Sequence, residues 1–164
     1  MRSMFDFVVV DTTRTLKDET LVVLDAADRI VLLGTLNIPS IKNARTFFEI
    51  ADALGYAKEK IVFVLNKVDR RSPISAQDIE KHIKHPVAAQ LPMDEAIAVG
   101  SVNRGVPFTG DPRLKSAPLV QMVFQLADRL VAEVEPVEIP VLEHAGGKKE
   151  DPTRERLGRL FNRG

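Results

Sequence analysis

The sequence contains no cysteine, and this absence excludes disulfide bridges, thiolate zinc sites and a cysteine nucleophile. It also lacks an excess of either charge, because 23 basic side chains balance 23 acidic ones, so overall charge gives no sign of nucleic acid as a partner. No apolar run is long enough to span a bilayer, and the first residues do not have the pattern of a signal peptide. We therefore expect a cytoplasmic protein.

The chain of 164 residues, 45% of them hydrophobic, is large enough for one domain with a substantial core. Short apolar runs alternate with segments of helical spacing. The runs predict strands at residues 7–10, 29–33, 60–65 and 86–91, and the spacing predicts helices at 21–27, 40–54, 75–84, 95–102 and 116–133. Repeated strand-then-helix units predict an α/β fold, in which helices cover both faces of a mainly parallel sheet.

The first motif with chemical content lies at the end of the first predicted strand. The apolar run 7–10 stops at Asp11, and Thr12, Thr13 and Arg14 follow. Ligands of open parallel sheets bind where strands end at their carboxyl edge, and nucleotide hydrolases place a carboxylate there to hold a hydrated Mg²⁺. The alternative is a buried strand whose terminal Asp11 only caps the next turn.

Two further motifs follow later strands. Asn66-Lys67-Val68-Asp69 ends the third strand, where an Asn amide could contact a purine edge and a carboxylate could read the donors of guanine. The alternative is a polar turn. Leu91-Pro92-Met93-Asp94 ends the fourth strand, and there a structural role is sufficient, because Asp94 can cap the next helix.

In order and spacing these segments resemble the MinD/ParA family of deviant-P-loop ATPases, and within it the pilus-assembly branch of CpaE/TadZ-like proteins. The resemblance covers about 130 residues, and its collinearity is more specific than any single motif. The matching segments are residues 5–11, 14–16, 24–32, 39–45, 64–67, 91–94 and 103–107.

The resemblance implies a SIMIBI-type P-loop NTPase fold, with ATP and Mg²⁺ as ligands. Asp11 would be the catalytic switch II carboxylate on the water shell of Mg²⁺, within a switch II segment that includes Thr12, Thr13 and Arg14. Asn66 and the segment Pro92, Met93 and Asp94 would line the adenine. Thr13 departs from the family, which usually has a proline there, so the switch II turn is expected to be less rigid.

The Gly-rich phosphate-binding loop of the family would precede all of these motifs and is absent from the sequence. We therefore expect the carboxyl-terminal portion of such an ATPase, without the P-loop strand and inactive alone. The sheet edge left open would attract a partner, either a second copy or a complementing amino-terminal half. The resemblance implies a role in localising or assembling a pilus or secretion apparatus. Two alternatives stay open, namely a non-catalytic interaction module and, more weakly, a GTPase-like domain.

The composition changes after the last predicted helix. We expect the ATPase-like part to span residues 1–133, a flexible linker to span 134–151, and a basic amphipathic tail to span 152–164. The tail would dock peripherally on anionic membrane or on an acidic partner, or else remain a disordered solvating segment. Its proposed contact residues are Arg156, Leu157, Arg159, Leu160 and Phe161.

Overall fold

A computed structural model describes residues 4–13 and 15–132 of the chain. Arg14 and residues 133–164, which include the predicted linker and tail, lie outside the described residues. Residues 4–8 and residues 9–132 belong to separate compact units, and the fold is that of the second unit. No helix within residues 4–13 and 15–132 is long and apolar enough to cross a membrane.

Three parallel strands form one sheet in the described part of the chain, in the order β1 (Ile30–Gly34), β2 (Ile61–Val68) and β3 (Ala89–Pro92). The register places Ile30 beside Ile61 and Val64 beside Ala89. Five α-helices accompany these strands: α1 (Asp18–Ala26), α2 (Ile38–Ala53), α3 (Ala76–Ile83), α4 (Glu95–Arg104) and α5 (Pro118–Ala132).

The central strand β2 is buried on both faces, because its alternate side chains enter two separate cores. Ile61, Phe63 and Leu65 pack in a cluster with residues of α1, α2 and α3. Val62 and Val64 pack on the opposite face, where α5 covers them. The sheet is therefore a middle layer between helices, which confirms the predicted α/β class.

Polar side chains fix where several helices begin. Asn37 caps α2 by accepting a hydrogen bond from the Ser40 amide, and Pro39 follows in the first turn. Ser75 and Asp78 form the capping box predicted for α3, and the hydrogen bond from Ser75 lowers the pKa of Asp78. These local contacts explain why the predicted helices lie close to the observed ones.

The predicted strand at residues 7–10 is wrong. These residues have no strand structure, and Phe7, Val8, Val9 and Val10 are 54%, 48%, 93% and 54% exposed. A strand buried on both faces needs neighbouring strands to satisfy its backbone and cover its side chains. No strand pairs with this run within the described residues, so its apolar sequence is not sufficient to form one.

Candidate functional site

The carboxyl ends of β2 and β3 bring two of the three predicted motifs together. Val68 pairs with Pro92, and the Met93 amide donates a hydrogen bond of 3.0 Å to the Val68 carbonyl. Asn66 therefore precedes this pairing by two residues on β2, while Met93 and Asp94 come directly after β3. Ligands of parallel sheets bind at this edge, so the arrangement qualifies as a candidate site.

A β-bulge shapes the edge at Asn66 and Lys67. Leu65 pairs with Gln90 and Val68 pairs with Pro92, so two residues of β2 stand opposite one residue of β3. Lys67 has φ of 53°, a left-handed conformation that non-glycine residues seldom adopt. The Asn66 Oδ1 accepts a 2.8 Å hydrogen bond from the Lys67 amide, which leaves the Asn66 Nδ2 group as the side chain's donor toward a ligand.

The segment after β3 combines a structural contact with an exposed side chain. The Asp94 carboxylate accepts a 3.0 Å hydrogen bond from the Ile97 amide and thereby caps α4. Met93 is 45% exposed beside it. The structural role expected for Asp94 is thus present, and Met93 offers apolar surface at the same edge.

The loop after β1 supplies polar groups outside the three predicted motifs. The Thr35 amide donates to the Ser40 hydroxyl at 2.8 Å, and the Asn37 amide group donates to the Thr35 hydroxyl at 2.8 Å. Because β1 and β2 are parallel neighbours, this loop lies at the same edge of the sheet as Asn66. In the sequence, this loop can be recognised by the hydroxyl and amide residues that directly follow a buried strand.

Asp11 is not held in the sheet. Asp11, Thr12 and Thr13 are exposed residues without regular secondary structure, and Arg14 lies outside the described residues. The Thr13 hydroxyl lies 3.2 Å from that of Thr15 and 3.4 Å from that of Thr20. The switch II prediction therefore stays a prediction, since no strand positions Asp11 beside the other motifs.

Left-handed glycines and clusters of metal-ligating side chains are features that would mark a phosphate or metal site. The left-handed glycines of the described residues, Gly55 and Gly105, both end helices rather than following a strand. Across residues 4–13 and 15–132 no group of three or more His, Cys, Asp or Glu side chains could hold a metal ion. At this edge of the sheet the described residues offer the amide group of Asn66 and the exposed side chain of Met93.

In the turn after β2, Asp69 forms a surface ion pair with Arg71. Arg71 Nε lies 3.1 Å from Asp69 Oδ1, and Arg71 Nη2 lies 2.9 Å from Asp69 Oδ2. These hydrogen bonds hold the pKa of Asp69 below its ordinary value. The Asp69 carboxylate is therefore held ionised at the surface by the neighbouring Arg71.

A separate groove lies between α2 and α3, with a volume of about 310 Å³. Its walls are mainly isoleucines, with Lys42, Asp78 and His82 around them. None of the predicted site residues lines this groove. It is therefore distinct from the candidate site at the sheet edge.

Comparisons by sequence and by structure both find similarity to MinD or ParA proteins. No family model matches the sequence. Over 108 residues the chain is 24% identical to the septum site-determining protein MinD of Thermotoga maritima, a match that covers 63% of this chain and 40% of that protein. The chain thus spans less than half of the curated relative.

Solved structures show the same relationship at the level of the fold. The ParA family ATPase from Chlorobium tepidum superposes with a TM-score of 0.60 and 22% identity, covering 69% of this chain and 46% of that one. A chain of the MinC:MinD cell division protein complex of Aquifex aeolicus gives a TM-score of 0.62 and 20% identity, covering 75% of this chain and 50% of that one. The cell division ATPase MinD of Pyrococcus furiosus gives a TM-score of 0.54 and 21% identity, covering 65% of this chain and 44% of that one. The fold of this chain is therefore that of about half of a MinD/ParA-type ATPase.

Proposed function

We propose that this chain is the carboxyl-terminal portion of a MinD/ParA-like ATPase and that its β2–β3 edge holds the adenine of Mg·ATP. The observation that carries the proposal is the juxtaposition of Asn66 with the 92–94 segment on this fold. In the same proposal the ATPase serves the localisation or assembly of a pilus or secretion apparatus, the branch that the sequence resembles. The A. aeolicus complex, in which a MinD assembles with MinC, supports action through a protein partner.

In this site the chain's own residues bind and orient the base. Asn66 would donate from Nδ2, because its Oδ1 is already held by the Lys67 amide. Met93 would give apolar contact to the ring, and Asp94 would keep the 92–94 segment in place by capping α4. The bulge at Asn66 and Lys67 opens the edge of the sheet for this contact.

Hydrolysis would require a phosphate-binding segment from another polypeptide or from a longer chain. Backbone amides and a lysine in such a segment supply much of the affinity for the β- and γ-phosphates. Asp11 would contribute to the water shell of Mg²⁺ only when a neighbouring strand holds residues 7–10 in the sheet. We therefore expect no ATP turnover by the 164-residue polypeptide alone.

A non-catalytic interaction module is the second candidate, and the exposed position of Asp11 favours it. In that case the chain would retain the surface of the ATPase fold without its chemistry. A GTPase-like function is the weaker alternative, in which the Asp69 carboxylate would accept from the guanine donors beside its surface ion pair with Arg71.

Nuclear magnetic resonance titration of the full chain tests the adenine site. With Mg·ATP we expect amide shifts confined to residues 66–67 and 93–94, with a dissociation constant on the order of 1 mM or weaker, since the phosphates are unbound. Mg·GTP should cause smaller shifts at the same residues. The Asn66→Ala variant should lose most of the response, whereas Asn43→Ala, which changes an exposed asparagine of α2, should not.

Other outcomes of this titration would contradict the adenine site or change the proposed function. Shifts located outside the β2–β3 edge would contradict the site, and an equal response of the two asparagine variants would remove Asn66 from it. No response to either nucleotide would favour the interaction module. Saturable binding in the micromolar range would show that the chain holds the phosphates after all.

A further inference from the structure

The groove between α2 and α3 is an apolar surface that is open to solvent. Both helices pack on the central strand β2 in one core cluster, and Ile79, which lines the groove from the core side, is 1% exposed. Ile41 and Ile74 are half-buried, whereas Ile38 in the first turn of α2 is 62% exposed. One continuous segment, residues 38–82, therefore supplies both walls of the groove.

Both carboxylates of α3 are engaged by groups of this chain. The Asp78 carboxylate, which lines the groove, accepts hydrogen bonds from the hydroxyl and the amide of Ser75. These bonds and the charge of Lys81 hold the pKa of Asp78 below its ordinary value. Glu80 accepts a 2.7 Å hydrogen bond from the Val87 amide. Neither carboxylate therefore needs a cation from outside the chain.

The α2 wall of the groove carries a cation without such a partner. Arg45 is bound by Glu49 at 2.9 Å in an i,i+4 ion pair. Lys42 lines the groove, and it forms no ion pair within residues 4–13 and 15–132. This wall therefore combines two isoleucines with one positive charge that an external anion can approach.

We propose that the groove binds an amphipathic helix of a protein partner, with apolar side chains over the isoleucines and an acidic side chain at Lys42. Two neighbouring helices leave a groove into which a third helix packs, with anchors at i and i+4. Because α3 has eight residues, it offers about 12 Å of wall, enough for about two turns of a partner helix.

The size of the groove also favours side chains of a partner over a small molecule. Its volume of about 310 Å³ is at the lower end of the range for ligand pockets, about 300–1,000 Å³, and the exposed Ile38 leaves it open. The tail of this chain fits less well than an acidic helix, because its arginines would bring like charge to Lys42.

This partner site goes beyond the proposed function and does not depend on it. The groove needs neither a nucleotide nor a phosphate-binding segment, since residues 38–82 form both of its walls. Binding at the groove can therefore be tested in the absence of any nucleotide.

Nuclear magnetic resonance titration of the full chain with two synthetic peptides tests the groove. The first is a helical peptide of about 16 residues, with leucines on one face and glutamates beside them, and in the second every glutamate is replaced by lysine. We expect the acidic peptide to shift amides in residues 38–42 and 74–82, with a dissociation constant on the order of 0.1–1 mM. The basic peptide should bind at least about threefold more weakly.

Two pairs of variants separate the charge from the apolar contact. Lys42→Glu should reverse the preference, so that the basic peptide binds more tightly, whereas Lys115→Glu, at an exposed lysine before α5, should leave it unchanged. Ile38→Ala should weaken both peptides by about threefold or more, because it removes apolar surface from the contact. Val102→Ala, at an 80% exposed valine of α4, should have no effect.

Several results would overturn the proposal, and circular dichroism of each variant verifies that it is folded. These are amide shifts outside the groove, equal binding of the two peptides to the unaltered chain, no binding of the acidic peptide up to about 2 mM, or an unchanged preference in Lys42→Glu. If a version that ends at Glu150 binds the acidic peptide at least about tenfold more tightly than the full chain, the tail occupies the groove and the proposed partner does not.

Discussion

Lys67 holds a costly backbone conformation at the candidate site. Its φ of 53° is left-handed, and such a conformation costs a residue with a side chain about 1–2 kcal/mol. The Asn66 side chain and the bulge hold this conformation in place. Backbone strain of this kind is often found at binding sites, where the surrounding structure fixes it.

Replacing Lys67 with glycine should stabilise the protein, because glycine adopts a positive φ without a steric penalty. Part of the gain is lost to the greater freedom of glycine in the unfolded chain, so we expect about 0.5–1 kcal/mol from urea denaturation. The same change at Lys81, in the exposed face of α3, should destabilise by about 1 kcal/mol. Destabilisation by both changes would indicate that the Lys67 side chain contributes more than the strain costs.

Local contacts fix both ends of α4. None of its residues is fully buried, although Ile97 packs against the core cluster of Val62 and Val64, and the Asp94 cap and the left-handed Gly105 define where the helix begins and ends. Because Asp94 also anchors the segment after β3, the stability of α4 and the shape of the candidate site are linked through one side chain.

Removing this cap should loosen α4 selectively. We expect Asp94→Ala to cost about 1 kcal/mol and to speed amide hydrogen exchange in residues 95–104, whereas Asp94→Asn, which retains a capping oxygen, should cost a few tenths. Exchange in α2, which has its own cap at Asn37, provides the internal control. An equal increase in exchange over both helices would mean that Asp94 supports the whole fold rather than α4.

At the scale of the whole molecule, we predict a separate attachment through the tail of the sequence. Residues 148–164 hold six basic and three acidic side chains, and they include the apolar residues Leu157, Leu160 and Phe161. This segment lies outside the described residues, so its docking on an anionic membrane or an acidic partner stays a prediction. Each basic residue near an anionic leaflet contributes about 1 kcal/mol, and one short amphipathic segment binds weakly unless dimerisation doubles it.

Liposome co-sedimentation at low salt tests this attachment. The full chain should bind vesicles rich in phosphatidylserine, and a version that ends at Glu150 should not. Neutral vesicles and added salt should both reduce the binding of the full chain, because the attraction is electrostatic. If the shortened version binds anionic vesicles equally well, the tail is not the anchor.

The sequence by itself determined most of the elements within residues 15–132. The strands predicted at 29–33, 60–65 and 86–91 correspond to β1, β2 and β3, and the five predicted helices correspond to α1–α5. These segments could be predicted because caps such as Ser75 with Asp78 and the period of the apolar residues are local properties of the chain. The parallel α/β class followed from their alternation.

Only the tertiary structure decided how these elements combine. Residues 7–10 have as strong a strand pattern as β2, yet they form no strand, because a strand depends on neighbours that its own sequence does not specify. The left-handed Lys67 and the approach of Met93 to Val68 likewise arise from pairing between β2 and β3. So does the exposure of Leu33, since α5 covers only part of the sheet face. Contacts between distant residues set these features, whereas the local pattern sets only where strands and helices can form.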